Sequence, residues 1–404
     1  MNVLTMNAGS TSVKFALFES GQDDSLREGE ISWANGKRGQ AHLAVWQRNG
    51  EKDVSVVDVG DDEAAATCAI RAALGSDFKR ADVGVVGHRI VHGGEQFRES
   101  VLIDKEAKDT IASLSHLAPL HNPPALKAIA AAEAAFAGVP QVAVFDTAFY
   151  RHLPPQAFLY PLPYDYYQRW GIRRFGFHGI SYDYCSRRAD ELLNCDLAQL
   201  SLIICHLGGG CSATAIQKGA AIATTSGYSP LDGLMMGTRS GSLDPGILLA
   251  LQRQHGLTIA QIEQALNSSS GLLGVSGISA DLADIESAAE RGNDRARLAF
   301  DMFADRVRSA IGGLAVTLGS VDALVFTDRV GENSPALRSA VCNGLEVLGL
   351  RLDRELNRNA HPDLDVAAAE SRARILVIHT REELMIAREA VRVITTRRSA
   401  TART

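Results

Sequence analysis

The 404-residue chain is too long for one compact core and divides most simply into two domains. Its 46% apolar and 22% charged residues are those of an ordinary soluble globular protein, and a net charge of -6, with no basic block beyond the tail RRSATART, excludes a nucleic-acid binder. Six cysteines without CxxC spacing exclude a disulfide framework or a structural zinc site, and no run approaches the roughly 18 apolar residues of a membrane span, so the expected home is the cytosol.

Short runs rich in Val, Ile and Leu alternate with helical patterns, which predicts a mainly parallel sheet covered by helices. The first run, VLTM, passes through the polar turn NAGSTS into SVKFALF, where Val13, Phe15 and Leu17 share one face and Ser12 and Lys14 the other, with small Ala16. Asn, Gly, hydroxyls and a Lys in so short a connection are groups that hold an anion; a solvated surface hairpin is the plain alternative. GxxxxGK[ST] does not occur, so a P-loop NTPase is not supported. VGVVGH follows and delivers Arg89 into GHRIVHGGEQF, where its fork, among glycines, is free to take a carboxylate or phosphate. A structural ion pair is the competing reading. LAPLHNPP supplies His121, and Asn122 ahead of Pro123 reads as the N-cap of a helix closed by Gly138. VAVFDT ends in Asp146, which serves equally to orient an arginine or the nucleophile, or to cap a helix. FGFHGIS brings His178, a kind of histidine that more often only packs.

In the second half, LSLIICHL, SATAI and AAIATT are strands, and LIICHLGGGCSATAIQKG repeats the plan of VLTMNAGSTSVKFALFE: apolar strand, Gly-rich polar turn, alternating strand. That is the mark of an internal duplication, with two similar halves facing each other across a cleft and a phosphate-gripping turn in each. MMGTRSGSLDP sets Arg239 between Gly237 and Gly241, the arrangement of Arg89 again, and Asp244 before Pro245 caps a helix closed by Gly256. Asn293 starts a long amphipathic helix, ALVFT and ILVIHT are strands, and GLRLDRELNR reads as ordinary helical surface. The last helix, EELMIAREAVRVI, opens on Glu382 and Glu383, which the helix dipole favours with or without a metal. Several strands end in a polar residue (His88, Asp146, His206, Thr327, Thr380), where ligands of open α/β sheets collect.

The strings NAGSTSVKF, GHRIVHGG, APLHNP, VFDTAF, GFHG, HLGGG, MGTRSG, VGEN and EEL, in that order and over nearly the whole chain, resemble the acetokinase (acetate kinase) family of the sugar-kinase, actin and heat-shock ATPase superfamily. The resemblance implies an α/β fold of two duplicated actin-like (ribonuclease H-like) domains, with mixed sheets flanked by helices and a cleft between them. Residues 1–149 rejoined by 382–404 form the first domain, and 150–381 form a nucleotide-binding domain that also makes a homodimer. It implies reversible, Mg2+-dependent phosphoryl transfer from ATP to acetate, giving acetyl phosphate and ADP by direct in-line attack. Asn7 and Glu382 then fall on metal positions, and Arg89, His121, Asp146, His178 and Arg239 on active-site positions. Val91, Leu120, Phe177 and Pro230 match the pocket for the methyl group. Ser10, Ser12 and Lys14 match a first phosphate loop, and His206, Gly208, Gly209 and Gly210 a second. Asp281, Leu282, Ala283, Asp328, Arg329, Gly331 and Asn333 match the nucleotide contacts. Elementary chemistry agrees: a carboxylate is already ionised at neutral pH, so an acyl kinase needs charge neutralisation and in-line positioning rather than a general base.

Departures from the family pattern gather on the nucleotide side. Gly209 stands where HLGNG has Asn, Leu282 and Ala283 where SDFR has Phe and Arg, and Asp328 and Arg329 where FTGGIGEN has paired glycines. Arg381 replaces an Asn, and Tyr182 the second His of HGxSH. The expectation is ATP held by rearranged contacts. Its alternatives are pyrophosphate as donor, propionate or another short acyl chain as acceptor, and a weakened nucleotide or metabolite sensor.

Overall fold

The computed structural model describes residues 1–9, 11–33 and 39–401. The chain forms two compact units, Met1–Arg151 with Arg381–Thr404, and His152–Thr380.

The first unit is built on strands β1 (Asn2–Ala8), β2 (Ser12–Glu19), β3 (Ser25–Trp33), β4 (Gly39–Gln47), β5 (Lys52–Val59), β6 (Val83–Ile90), β7 (Val101–Leu102) and β8 (Gln141–Phe145), in the order β5-β4-β3-β2-β1-β6-β8-β7. β1 to β5 run antiparallel, whereas β1, β6 and β8 are parallel. The sheet is therefore mixed, not mainly parallel. β3, β4 and β5 are strands that apolar runs do not announce: LREGEISW buries alternate residues and KDVSVVDV is exposed along nearly all its length, so neither needs a continuous hydrophobic stretch. The helices Asp62–Leu74 and Asn122–Ala135 pack together on the sheet through Ala65, Ala66, Ala69, Ala128 and Ala132, small residues that let them approach closely. The final helix, Glu382–Thr401, lies on β1, β6 and β8, and a Cβ at Gly87 of β6 would stand 2.7 Å from Ile386 Cγ2.

Asn122 is not an N-cap. His121 holds that position, and Asn122, fully buried as the first helical residue, accepts a hydrogen bond from His92 N at 3.2 Å and donates to His92 O at 3.0 Å. Its amide satisfies the backbone just after β6, a tertiary demand that outweighs the cap preference.

The second unit contains β9 (Ser201–Leu207), β10 (Cys211–Gln217), β11 (Ala220–Thr224), β12 (Ala323–Thr327), β13 (Leu364–Asp365) and β14 (Arg374–Val377), in the order β11-β10-β9-β12-β14-β13. β9, β10 and β11 are antiparallel and β9, β12 and β14 parallel, which repeats the plan of β1, β2, β3 and β1, β6, β8. The duplication read from two turns thus extends through whole sheets. The helix Asp294–Leu318 buries Phe303, Val307 and Ile311, with Asn293 capping Ala296 N at 2.9 Å; Asp244 caps Gly246 N at 2.8 Å. GLRLDRELNR is more than surface: Leu350 is buried, and Asn357 accepts from the fully buried Arg338 at 2.6 Å. Arg338 also donates to the carbonyls of Gly331 and Glu332, at 2.8 and 2.7 Å, and so anchors the VGEN segment. Among the described residues, all six cysteines are free and no helix is long and apolar enough to cross a membrane.

Candidate active site

In the first unit, β1, β6, β8 and the final helix each end at one polar cluster. Strand alternation sends His88 and Ile90 of β6 into the interior and leaves Arg89 on the other face. Its fork is not free: Nε and Nη2 donate to the two oxygens of the fully buried Asp146, at 3.0 and 2.7 Å. The third nitrogen, Nη1, reaches Asn7 Oδ1 at 3.2 Å and Glu382 Oε2 at 3.5 Å. Asn7 Nδ2 in turn donates to Glu383 Oε1 at 3.3 Å. Burial works against the charge on Arg89, but Asp146, Glu382 and Glu383 outweigh it and hold the guanidinium firmly protonated. Asp146 therefore orients an arginine, and it also opens the short helix Asp146–Tyr150.

Around this cluster, Lys14 stands on β2 directly across the ladder from Asn7, with an exposed side chain, and Ser12 begins the same strand. Ser10 lies outside the described residues. Val91 is buried just beyond β6, while Leu120 is 53% exposed. Arg381, the replaced Asn, ties the last helix to the turn after β2 by donating to Asp23 O at 2.5 Å.

In the second unit, the three-glycine turn between β9 and β10 forces the register His206↔Ser212. His206 is itself one histidine of the site, and Ser212 meets the other. His178 Nδ1 lies 2.8 Å from Ser212 Oγ, which is also 2.7 Å from Tyr182 OH. His206 stacks on His178 with ring centroids 4.1 Å apart, its Nδ1 2.9 Å from Ser181 Oγ and its Nε2 3.2 Å from Asp328 Oδ2. Tyr182 thus does have a job at the site, as the buried support of Ser212. His178 and Asp328 are two of four described non-glycine residues with positive φ, at 58° and 63°, a costly backbone found where the surrounding structure imposes it.

Arg239 contrasts with Arg89. Its Nη1 donates to Pro230 O at 2.6 Å, and among the described residues no carboxylate lies within ion-pair distance. Burial lowers its pKa from the ordinary arginine value. A Cβ at Gly210 would stand 3.2 Å from His178 Nε2 and 3.3 Å from Arg239 Nη2, so both nitrogens lie against this glycine. Phe177, next to His178, is buried.

The remaining expected contacts divide. Gly208 is buried and Gly209 opens to free space, whereas Leu282 packs its side chain into the core because its helix, Leu282–Glu290, is amphipathic. Ala283 is exposed and receives the cap of Asp281, whose Oδ2 also meets Arg329 Nη1 at 2.5 Å. Gly331 is buried, and Asn333 turns back to donate to Arg329 O at 2.8 Å. Missed at the level of sequence were Ser181 and Ser212. Ser212 was within reach of simple hairpin arithmetic, since a three-residue turn puts 206 opposite 212.

The Acetokinase family model matches residues 2–388. An acetate kinase of Cyanothece sp. is 46% identical over 98% of this chain and 99% of its own length. The crystal structure of Porphyromonas gingivalis acetate kinase superimposes with a TM-score of 0.89 at 39% identity, covering 97% of this chain and 99% of that one. A propionate kinase from Francisella tularensis gives 0.90 at 35% identity, with the same coverage. The chain belongs to the acetokinase family.

Proposed function

We propose that the protein is an acetate kinase that transfers a phosphoryl group reversibly between ATP and acetate. An acetate oxygen forms the new bond to phosphorus as the bond to the bridging oxygen breaks, and ADP leaves with that electron pair. The observation that carries the residue roles is the contrast between the two arginines. Arg239, half-buried with no carboxylate among the described residues within ion-pair distance, and aimed with His178 Nε2 at Gly210, holds the transferring phosphoryl group, whose charge spreads over three equatorial oxygens. Arg89, already gripped by Asp146, acts as the fixed edge that sets Asn7 and Glu382 and turns Nη1 toward acetate. Lys14 and Ser12 take donor phosphate, and His121 an oxygen of the acyl phosphate. Val91, Leu120, Phe177 and Pro230 receive the methyl group.

The first unit's residues fit Mg2+. Glu382 Oε1 is buried with no hydrogen-bond partner, and one guanidinium faces three carboxylates, a surplus of negative charge suited to a divalent cation. Asn7 and Glu382 would hold it, and when bound it supplies neutralisation of the phosphoryl oxygens. The protein also acts as a homodimer through its second unit, where Ile247, Leu249 and Ile259 are 48%, 51% and 73% exposed on two helices that bury no residue in the chain itself. A cytoplasmic enzyme is the matching location.

Hydroxylamine trapping of acetyl phosphate, with Mg2+, acetate and either ATP, GTP or pyrophosphate, tests the reading. Turnover is expected with ATP. Turnover with pyrophosphate alone would replace the donor, and silence with every donor would leave a sensor. Propionate is the second acceptor to try, since the propionate kinase has the same fold and one methylene is worth only about 1 to 3 kcal/mol.

A further inference from the structure

Where the family pattern has a glycine, Asp328 adopts glycine's left-handed backbone, and its side chain turns back over the Gly208–Gly210 turn. A Cβ at Gly208 would overlap the Asp328 carboxylate, and Asp328 Oδ2 takes up His206 Nε2 at 3.2 Å. His206 Nδ1 is already beside Ser181 Oγ at 2.9 Å, so both ring nitrogens are engaged within the protein. The neighbouring Arg329 is paired with Asp281, which tempers its positive charge near the turn. One side of the proposed phosphate turn therefore presents His178 and Arg239, and the other presents a fixed carboxylate.

We infer that Asp328 is a donor-discriminating residue, which holds the Gly208 face and His206 Nε2 against incoming phosphate and so selects against donors that bind through phosphate alone. The inference rests on the donor site proposed above and names what that site refuses. A carboxylate a few ångströms from a phosphate repels it, and the repulsion is screened by salt and offset by a bound cation. A nucleoside triphosphate has base and ribose contacts that outlast this penalty. Inorganic pyrophosphate has none.

The test is calorimetric binding of inorganic pyrophosphate and of ADP, without Mg2+, to the full-length wild type and Asp328→Asn. The expected result is a pyrophosphate Kd lowered about tenfold in the variant and an ADP Kd lowered less, with the gap closing as salt is raised. Asp328→Gly, which suits a φ of 63°, repeats the measurement and covers the case in which the Asn variant folds poorly. Equal pyrophosphate affinities, an unscreened difference, or no binding to any of the proteins would each overturn the inference. Binding is read without turnover, so a protein inactive in the hydroxylamine assay would defeat the kinase reading while this result still stood or fell alone.

Discussion

Two arginines that look alike in sequence, each at a strand end or loop among glycines, carry opposite electrostatics. Arg89 is surrounded by carboxylates, and the half-buried Arg239 donates to a single carbonyl. A partly desolvated guanidinium without a counter-ion is suited to an anion, since a bound phosphoryl group offsets what its desolvation costs. Arg239→Ala should lower kcat by about a hundredfold or more. Its melting temperature should stay within a few degrees of wild type or rise, and near-normal turnover would remove Arg239 from the mechanism. The pairing at Arg89 could not be read from its neighbours in sequence, because Asp146 comes from just beyond β8 and Glu382 from the last helix.

At the scale of elements, β6 shows how one strand serves two ends. Its alternation puts Arg89 at the polar cluster and buries His88, which meets Gln141 Oε1 at 2.7 Å and leaves Nδ1 without a partner. Burial, only partly opposed by Gln141 and Glu133, pushes the His88 pKa down to about 4. The folded state therefore binds this proton more weakly than the unfolded chain does, whose histidine titrates near 6.5. The stability tied to neutral His88 is fully present above pH 6.5 and is lost as the pH falls toward 4. By pH 5 the loss should reach about 2 kcal/mol, seen as a lower urea midpoint than at pH 7. The same comparison on His88→Gln should show a smaller fall, and an identical one would assign the acid sensitivity elsewhere. The glycine of the same strand, Gly87, keeps the final helix close, and so keeps Glu382 at Arg89.

For the whole molecule, the exposed apolar residues of the helices Pro245–Arg253 and Ile259–Ser268 are the surface on which the dimer proposal depends. Wild type should sediment at twice its 43.2 kDa, and Leu249→Glu with Ile259→Glu should sediment at 43.2 kDa with its circular dichroism unchanged. A wild type that is monomeric at micromolar concentration would end the proposal.

Sequence alone determined the class of fold, the strands of continuous apolar burial and the order of motifs, because these follow from local periodicity and from residue types that chemistry demands. It even located the two turns of the duplication. Only the tertiary structure decided that β3, β4 and β5 extend one sheet, that Asn122 serves backbone instead of capping, and that Arg89 is compensated while Arg239 is not. The same holds for Asp328 and Arg329, whose side chains meet His206 and Asp281 from distant segments. Charge compensation is set by distance in space and by exclusion of water, and neither is a property of the chain read one residue at a time.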